Sequence, residues 1–134
     1  MVQSTNKIPR PLSPHLQVYK LPLTALMSIT HRITGVSLAI GTLLICAFFI
    51  AAASGEAHYN FVMGLATSIL GQIILFLWSA ALYFHMCNGI RHMFFDTGKL
   101  LDKKTAMRSN YYVIAAAVIL TIATWVCAIG ELHV

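Results

Sequence analysis

The chain has 134 residues, 58% of them hydrophobic and only 10% charged, where a soluble domain carries about 25% charged residues. That balance excludes a soluble globular domain and indicates one membrane domain spanning residues 1–134. The formal charge of +5 follows the loops of the topology, so nucleic-acid binding is not needed to explain it.

Residues 1–23 are polar and carry Pro9, Pro11, Pro14 and Pro22, which prevent one continuous helix. An extended cytoplasmic arm suited to docking a soluble partner is expected there. Three apolar spans are predicted over residues 24–53, 61–95 and 111–129. Each meets the ~20 residues, at about 1.5 Å rise, that a helix needs to cross a ~30 Å hydrocarbon core. Thr24 is the expected N-cap of the first span. Gly35 and Ala39, then Gly64 and Ser68, have the small-xxx-small spacing that allows helices to approach. Gly98 marks the end of the second span. The fold class that follows is an all-α membrane bundle of three transmembrane helices.

Lys7, Arg10, Lys20 and Arg32 precede or open span one, and Arg91, Lys99, Lys103, Lys104 and Arg108 lie between spans two and three. The loop 54–60 and the tail 130–134 carry only Glu56 and Glu131 as charged residues. The positive-inside rule therefore predicts a cytoplasmic N-terminus and an external C-terminus. Ala51-Ala52-Ala53 resembles a cleavage site, but the apolar run and its leader are too long for a signal peptide, so an uncleaved span is expected. The start at Met1 without a transit-like segment favours a bacterial inner membrane over a mitochondrial one. Cys46, Cys87 and Cys127 lack C-x-x-C spacing and read as small buried hydrophobes.

From Tyr59 to Ile90 there is no Lys, Arg, Asp or Glu, yet His85 lies inside this stretch. An imidazole at membrane depth is costly unless something binds it, and a haem iron is the leading occupant. A hydrogen bond to a neighbouring helix is the competing explanation. His85, Asn88, Gly89 and His92 recur at i, i+3, i+4 and i+7 on one helical face, and Gly89 would give a macrocycle room. A low-spin haem takes two axial ligands. His31 sits beside Arg32 at the interface, about 9 to 10 Å shallower than His85 by helical rise, so the second ligand is expected from another chain. His31, Arg32 and His92 at the rim could meet haem propionates or simply anchor the helices in the interface. His15, His58 and His133 read as surface histidines.

Ser28 and Arg32 form an i, i+4 pair at the membrane surface. A hydroxyl can donate to a quinone carbonyl, and a fixed cation stabilises the charge that develops on reduction. A helix-start serine and a lipid-phosphate arginine are the alternative. Asp96 is placed to pair with Arg32 or Arg91.

The segments Arg10-Pro11-Leu12-Ser13-Pro14-His15-Leu16, Ser28-Ile29-Thr30-His31-Arg32-Ile33-Thr34-Gly35 and His85-Met86-Cys87-Asn88-Gly89-Ile90-Arg91-His92 with Asp96 resemble, in order and spacing, the cytochrome b membrane-anchor subunits of succinate dehydrogenase, respiratory complex II. The resemblance covers roughly residues 8–100. It implies that His85 is one axial ligand of haem b, with the other supplied by a second small hydrophobic anchor subunit packed against this one. It also implies that Ser28 and Arg32 help bind ubiquinone, and that an iron-sulfur subunit and a flavoprotein subunit dock on the membrane face. On this reading the chain anchors and ligates, and does not itself oxidise succinate. A haem-free structural anchor is the alternative of the same type. A small transporter would need further intramembrane carboxylates or an inverted repeat, and neither is present.

Overall fold

A computed structural model describes residues 20–131. Residues 1–19 of the proline-rich arm, His15 among them, and His133 lie outside the described residues. Four helices follow one another: α1 Leu23–Ala53, α2 Glu56–Thr67, α3 Ile69–Asp96 and α4 Lys103–Glu131. Among the described residues α1, α3 and α4 are long and apolar enough to cross a membrane, which bears out the three-span, all-α expectation.

Helix α1 starts behind Pro22, whose fixed φ of −66° suits the position and whose carbonyl accepts from the backbone of Ala25 (2.9 Å) and Leu26 (3.2 Å). Thr24 is therefore inside the first turn, not the N-cap. Its hydroxyl serves a tertiary purpose, accepting from Asn110 Nδ2 on α4 at 3.1 Å.

The sequence predicts one unbroken span over residues 61–95, but the chain breaks at Ser68, where ψ is 156°. Ser68 Oγ donates to the Leu65 carbonyl (2.6 Å) and accepts from Gly71 N (3.1 Å), closing α2 and capping α3. Gly71 is required at this corner: a Cβ there would meet the Ala66 carbonyl oxygen at 2.8 Å. Along the antiparallel α1–α3 contact Gly89 faces His31, Gly35 faces His85 and Gly41 faces Trp78. Continuing that register sets the start of α3 level with the end of α1. Helix α2 is thus an additional element at that end, packed back on α1 through Phe48 and Tyr59, whose ring centroids are 6.0 Å apart. The 28 residues of α3 suffice alone, since at 1.5 Å per residue they extend roughly 42 Å.

Gly98 ends α3 as expected. With φ of +76° it forms a Schellman closure in which Gly98 N donates to Phe95 O (2.9 Å) and Lys99 N to Phe94 O (3.1 Å). Helix α4 begins at Lys103, two turns before the predicted span. Asp102 Oδ2 caps it by accepting from Lys104 N (3.0 Å) and Thr105 N (3.2 Å).

Helix α3 packs between α1 and α4. The interior is small and unusually polar: Met27, Ala51, Val113 and Ala117 are buried beside Asn88, Arg91, Ser109, Asn110 and Thr121. Large aliphatic residues point outward, with Ile33, Val36, Ile40 and Leu43 on α1 all at least 60% exposed. In lipid this inversion is favourable, because outward apolar surface meets a solvent as apolar as itself and close contact falls to small residues. The antiparallel packing gathers Arg32, Arg91, Lys99, Lys103, Lys104 and Arg108 toward one end and leaves Glu56 toward the other.

Candidate functional site

The third and fourth turns of α1 meet the last four of α3 in a cluster of histidines. The rings of His31 and His85 stack with centroids 3.9 Å apart and planes 9° from parallel. His92 lies beyond, tilted 42° to His31 at 5.3 Å, and its other side approaches Phe95 at 6.2 Å. Stacking requires His31 and His85 to share a depth, which corrects the expected mismatch of about 9 to 10 Å. That expectation set Arg32 level with Arg91 and His92. Instead, Gly89 and not His92 faces His31 across the helix contact, since a Cβ on Gly89 would come 3.8 Å from His31 Cε1.

The two rings still do not form an axial pair for one iron. Axial ligands approach from opposite faces with lone pairs directed at each other, whereas stacked parallel rings present their edges side by side. Among the described residues no group of three His, Cys, Asp or Glu is placed to hold a bare metal ion.

Hydrogen-bond accounting fixes the tautomer of His85. Its Nδ1 lies 3.1 Å from the His31 carbonyl oxygen, which can only accept, so Nδ1 carries the proton and donates. Thr34 Oγ1, 3.2 Å from the same nitrogen, is the second acceptor. Nε2 is then the lone-pair nitrogen of a half-buried ring and has no hydrogen-bond partner among the described residues. A metal-binding imidazole has this arrangement, with one nitrogen anchored to a carbonyl and the other free. His31 Nδ1, by contrast, is buried with no hydrogen-bond partner among the described residues.

Asn88 was expected to share the His85 face, but it turns away. Asn88 is wholly buried and its Oδ1 accepts from Arg91 Nη1 at 3.3 Å. Arg91 is only 4% exposed, with Nε donating to Ser109 Oγ at 2.8 Å and Nη2 to the Ala106 carbonyl at 3.5 Å, and its guanidinium lies 4.6 Å from the Phe95 ring centroid. Arg91 thus joins α3 to α4 through neutral acceptors and not through Asp96. The space beside Gly89 is occupied by the His31 ring, so it is Gly35 whose missing side chain matters to His85: a Cβ there would sit 3.0 Å from His85 Cε1.

Ser28 is half-buried and Arg32 is exposed on the same helix as His31. Arg91 is sequestered, whereas Arg32, beside Ser28 on α1, is exposed to a ligand. Neither the contact of Thr34 with His85 nor the burial of Arg91 is evident from the residues' order alone. The i, i+3 spacing of Asn88 and Arg91 was the available signal for the second.

Residues 6–124 match the family described as succinate dehydrogenase/fumarate reductase transmembrane subunit. The chain is 42% identical over 119 residues to the succinate dehydrogenase cytochrome b556 subunit of Paracoccus denitrificans, covering 89% of this chain and 92% of that one. It is 34% identical over 117 residues to the cytochrome b556 subunit of Rickettsia felis, covering 87% and 91%. It is also 32% identical over 127 residues to the cytochrome b560 subunit of Reclinomonas americana, covering 89% and 86%. The chain therefore belongs to the succinate dehydrogenase/fumarate reductase transmembrane subunit family, as a cytochrome b membrane subunit of complex II that is a non-catalytic part of the oxidoreductase.

Proposed function

We propose that this chain ligates haem b through His85 and helps form the ubiquinone-reduction site of succinate:ubiquinone oxidoreductase. The anchored Nδ1 and unpartnered Nε2 of His85 carry the reading, because they meet the donor requirement of an axial ligand. When bound, the haem supplies a one-electron carrier. The second axial ligand comes from the partner anchor subunit, since the one imidazole level with His85 in α1 is stacked on it. His31 and His92 are donors for the propionates, and the unpartnered, buried Nδ1 of His31 supports an assembly that alters its surroundings.

Ser28 donates to a quinone carbonyl while Arg32 stabilises the negative charge that develops on reduction. The exposure of Arg32 beside the half-buried Ser28 supports this assignment. The basic end faces the cytoplasm by the positive-inside rule, where the iron-sulfur and flavoprotein subunits dock, and the relatives from Paracoccus and Rickettsia support a bacterial inner membrane.

The test is a reduced-minus-oxidised spectrum of the complex purified with its partner subunits. A b-type signal that disappears in His85→Ala is expected. Full quinone reductase activity without haem absorbance would select a haem-free anchor, and wild-type haem in the variant would refute ligation by His85.

A further inference from the structure

The side of His85 that faces away from its free nitrogen is held by several groups of α1. The His31 carbonyl and Thr34 hydroxyl approach Nδ1 at 3.1 and 3.2 Å, the His31 ring covers one face, and Gly35 leaves space at Cε1. Thr34 Oγ1 is also 2.9 Å from both the Thr30 and His31 carbonyl oxygens. Its single proton goes to one of these, since carbonyls offer no donor, and its lone pairs are left toward His85. The direction of the Thr34–His85 bond follows: Nδ1–H donates and the hydroxyl accepts.

Resting on the haem reading above, we propose that Thr34 is a positioning residue for the axial histidine, sharing the His85 Nδ1 proton with the His31 carbonyl and thereby setting the electron donation of Nε2. A hydrogen bond from the distal nitrogen raises ligand basicity, and a more basic ligand favours the oxidised iron. Removing the hydroxyl acceptor leaves Nδ1 with the carbonyl alone and shifts the equilibrium toward reduced haem. The same α1 segment carries Ser28 and Arg32, so the helix that meets the quinone also seats the haem ligand.

Thr34→Val keeps the shape of the side chain and removes the acceptor, and Thr34→Ser restores it. The assay is a spectroscopic redox titration of the haem in the purified complex, with haem per complex measured alongside. Thr34→Val is expected to raise the ratio of reduced to oxidised haem about tenfold at the wild-type midpoint, the low end of the roughly 10- to 100-fold effects of losing a second-sphere partner, and Thr34→Ser to return within about twofold. Wild-type titration and haem content in Thr34→Val would overturn the Thr34 assignment alone. An equal shift in both variants would also overturn it, because keeping the hydroxyl acceptor in Thr34→Ser would then have failed to preserve the wild-type titration. A wild-type complex without a b-type spectrum would overturn the haem reading and this inference together.

Discussion

Gly35→Ala is the most direct test of how α1 seats His85. A Cβ at this position would lie 3.0 Å from His85 Cε1 and 3.6 Å from Nδ1, so the ring must retreat from α1 by about 0.4 Å to reach ordinary contact. Both acceptors of Nδ1 are on α1. Retreat lengthens their bonds from 3.1 and 3.2 Å to about 3.5 Å, where a hydrogen bond is largely lost. Overpacking costs about 1–3 kcal/mol and each weakened bond up to about 1 kcal/mol. Even about 2 kcal/mol is a factor of roughly 30 in an equilibrium constant. Haem per complex, measured by pyridine haemochrome after purification, should fall well below wild type. Gly64→Ala is the control, because nothing lies within 4 Å of its new Cβ and replacing a helical glycine favours the helix by about 1 kcal/mol. Wild-type haem content and thermal stability in Gly35→Ala would refute the seating argument.

Two further outcomes are expected. Ser109→Ala removes the acceptor of the buried Arg91 Nε, which lies 2.8 Å away, and should destabilise the α3–α4 contact by about 1.5–3 kcal/mol, the range for a hydrogen bond to a charged group. Thermal unfolding of the complex in detergent measures this, and an unchanged midpoint contradicts it. Arg32→Leu should lower quinone reduction at least tenfold, about 1.4 kcal/mol of lost charge stabilisation, while succinate oxidation by an artificial soluble acceptor is largely kept. Equal losses in both assays would point to failed assembly instead.

The capping residues show how much local chemistry was legible. Gly98 was recognisable because only a residue tolerant of positive φ closes a helix in this way, and the closure depends on its immediate neighbours. Asp102 offered an equally local signal, but a reading tuned to hydrocarbon length starts α4 at the first long apolar run and overlooks a cap two turns earlier. Ser68 was obscured for a similar reason. Hydropathy continues across it, and the break depends on one hydroxyl serving both Leu65 and Gly71.

The amino-acid order alone determined the membrane class, the three crossings, the clustering of basic residues and the singular status of His85, because each is a property of position along the chain. Tertiary packing decided which residues share a depth. It set His31 against His85, buried Arg91 among neutral acceptors and assigned Thr34 to the His85 ring. The register between two helices follows from where small residues such as Gly35, Gly41 and Gly89 admit the partner's large rings. That complementarity belongs to a pair of helices, so counting along either one does not reveal it.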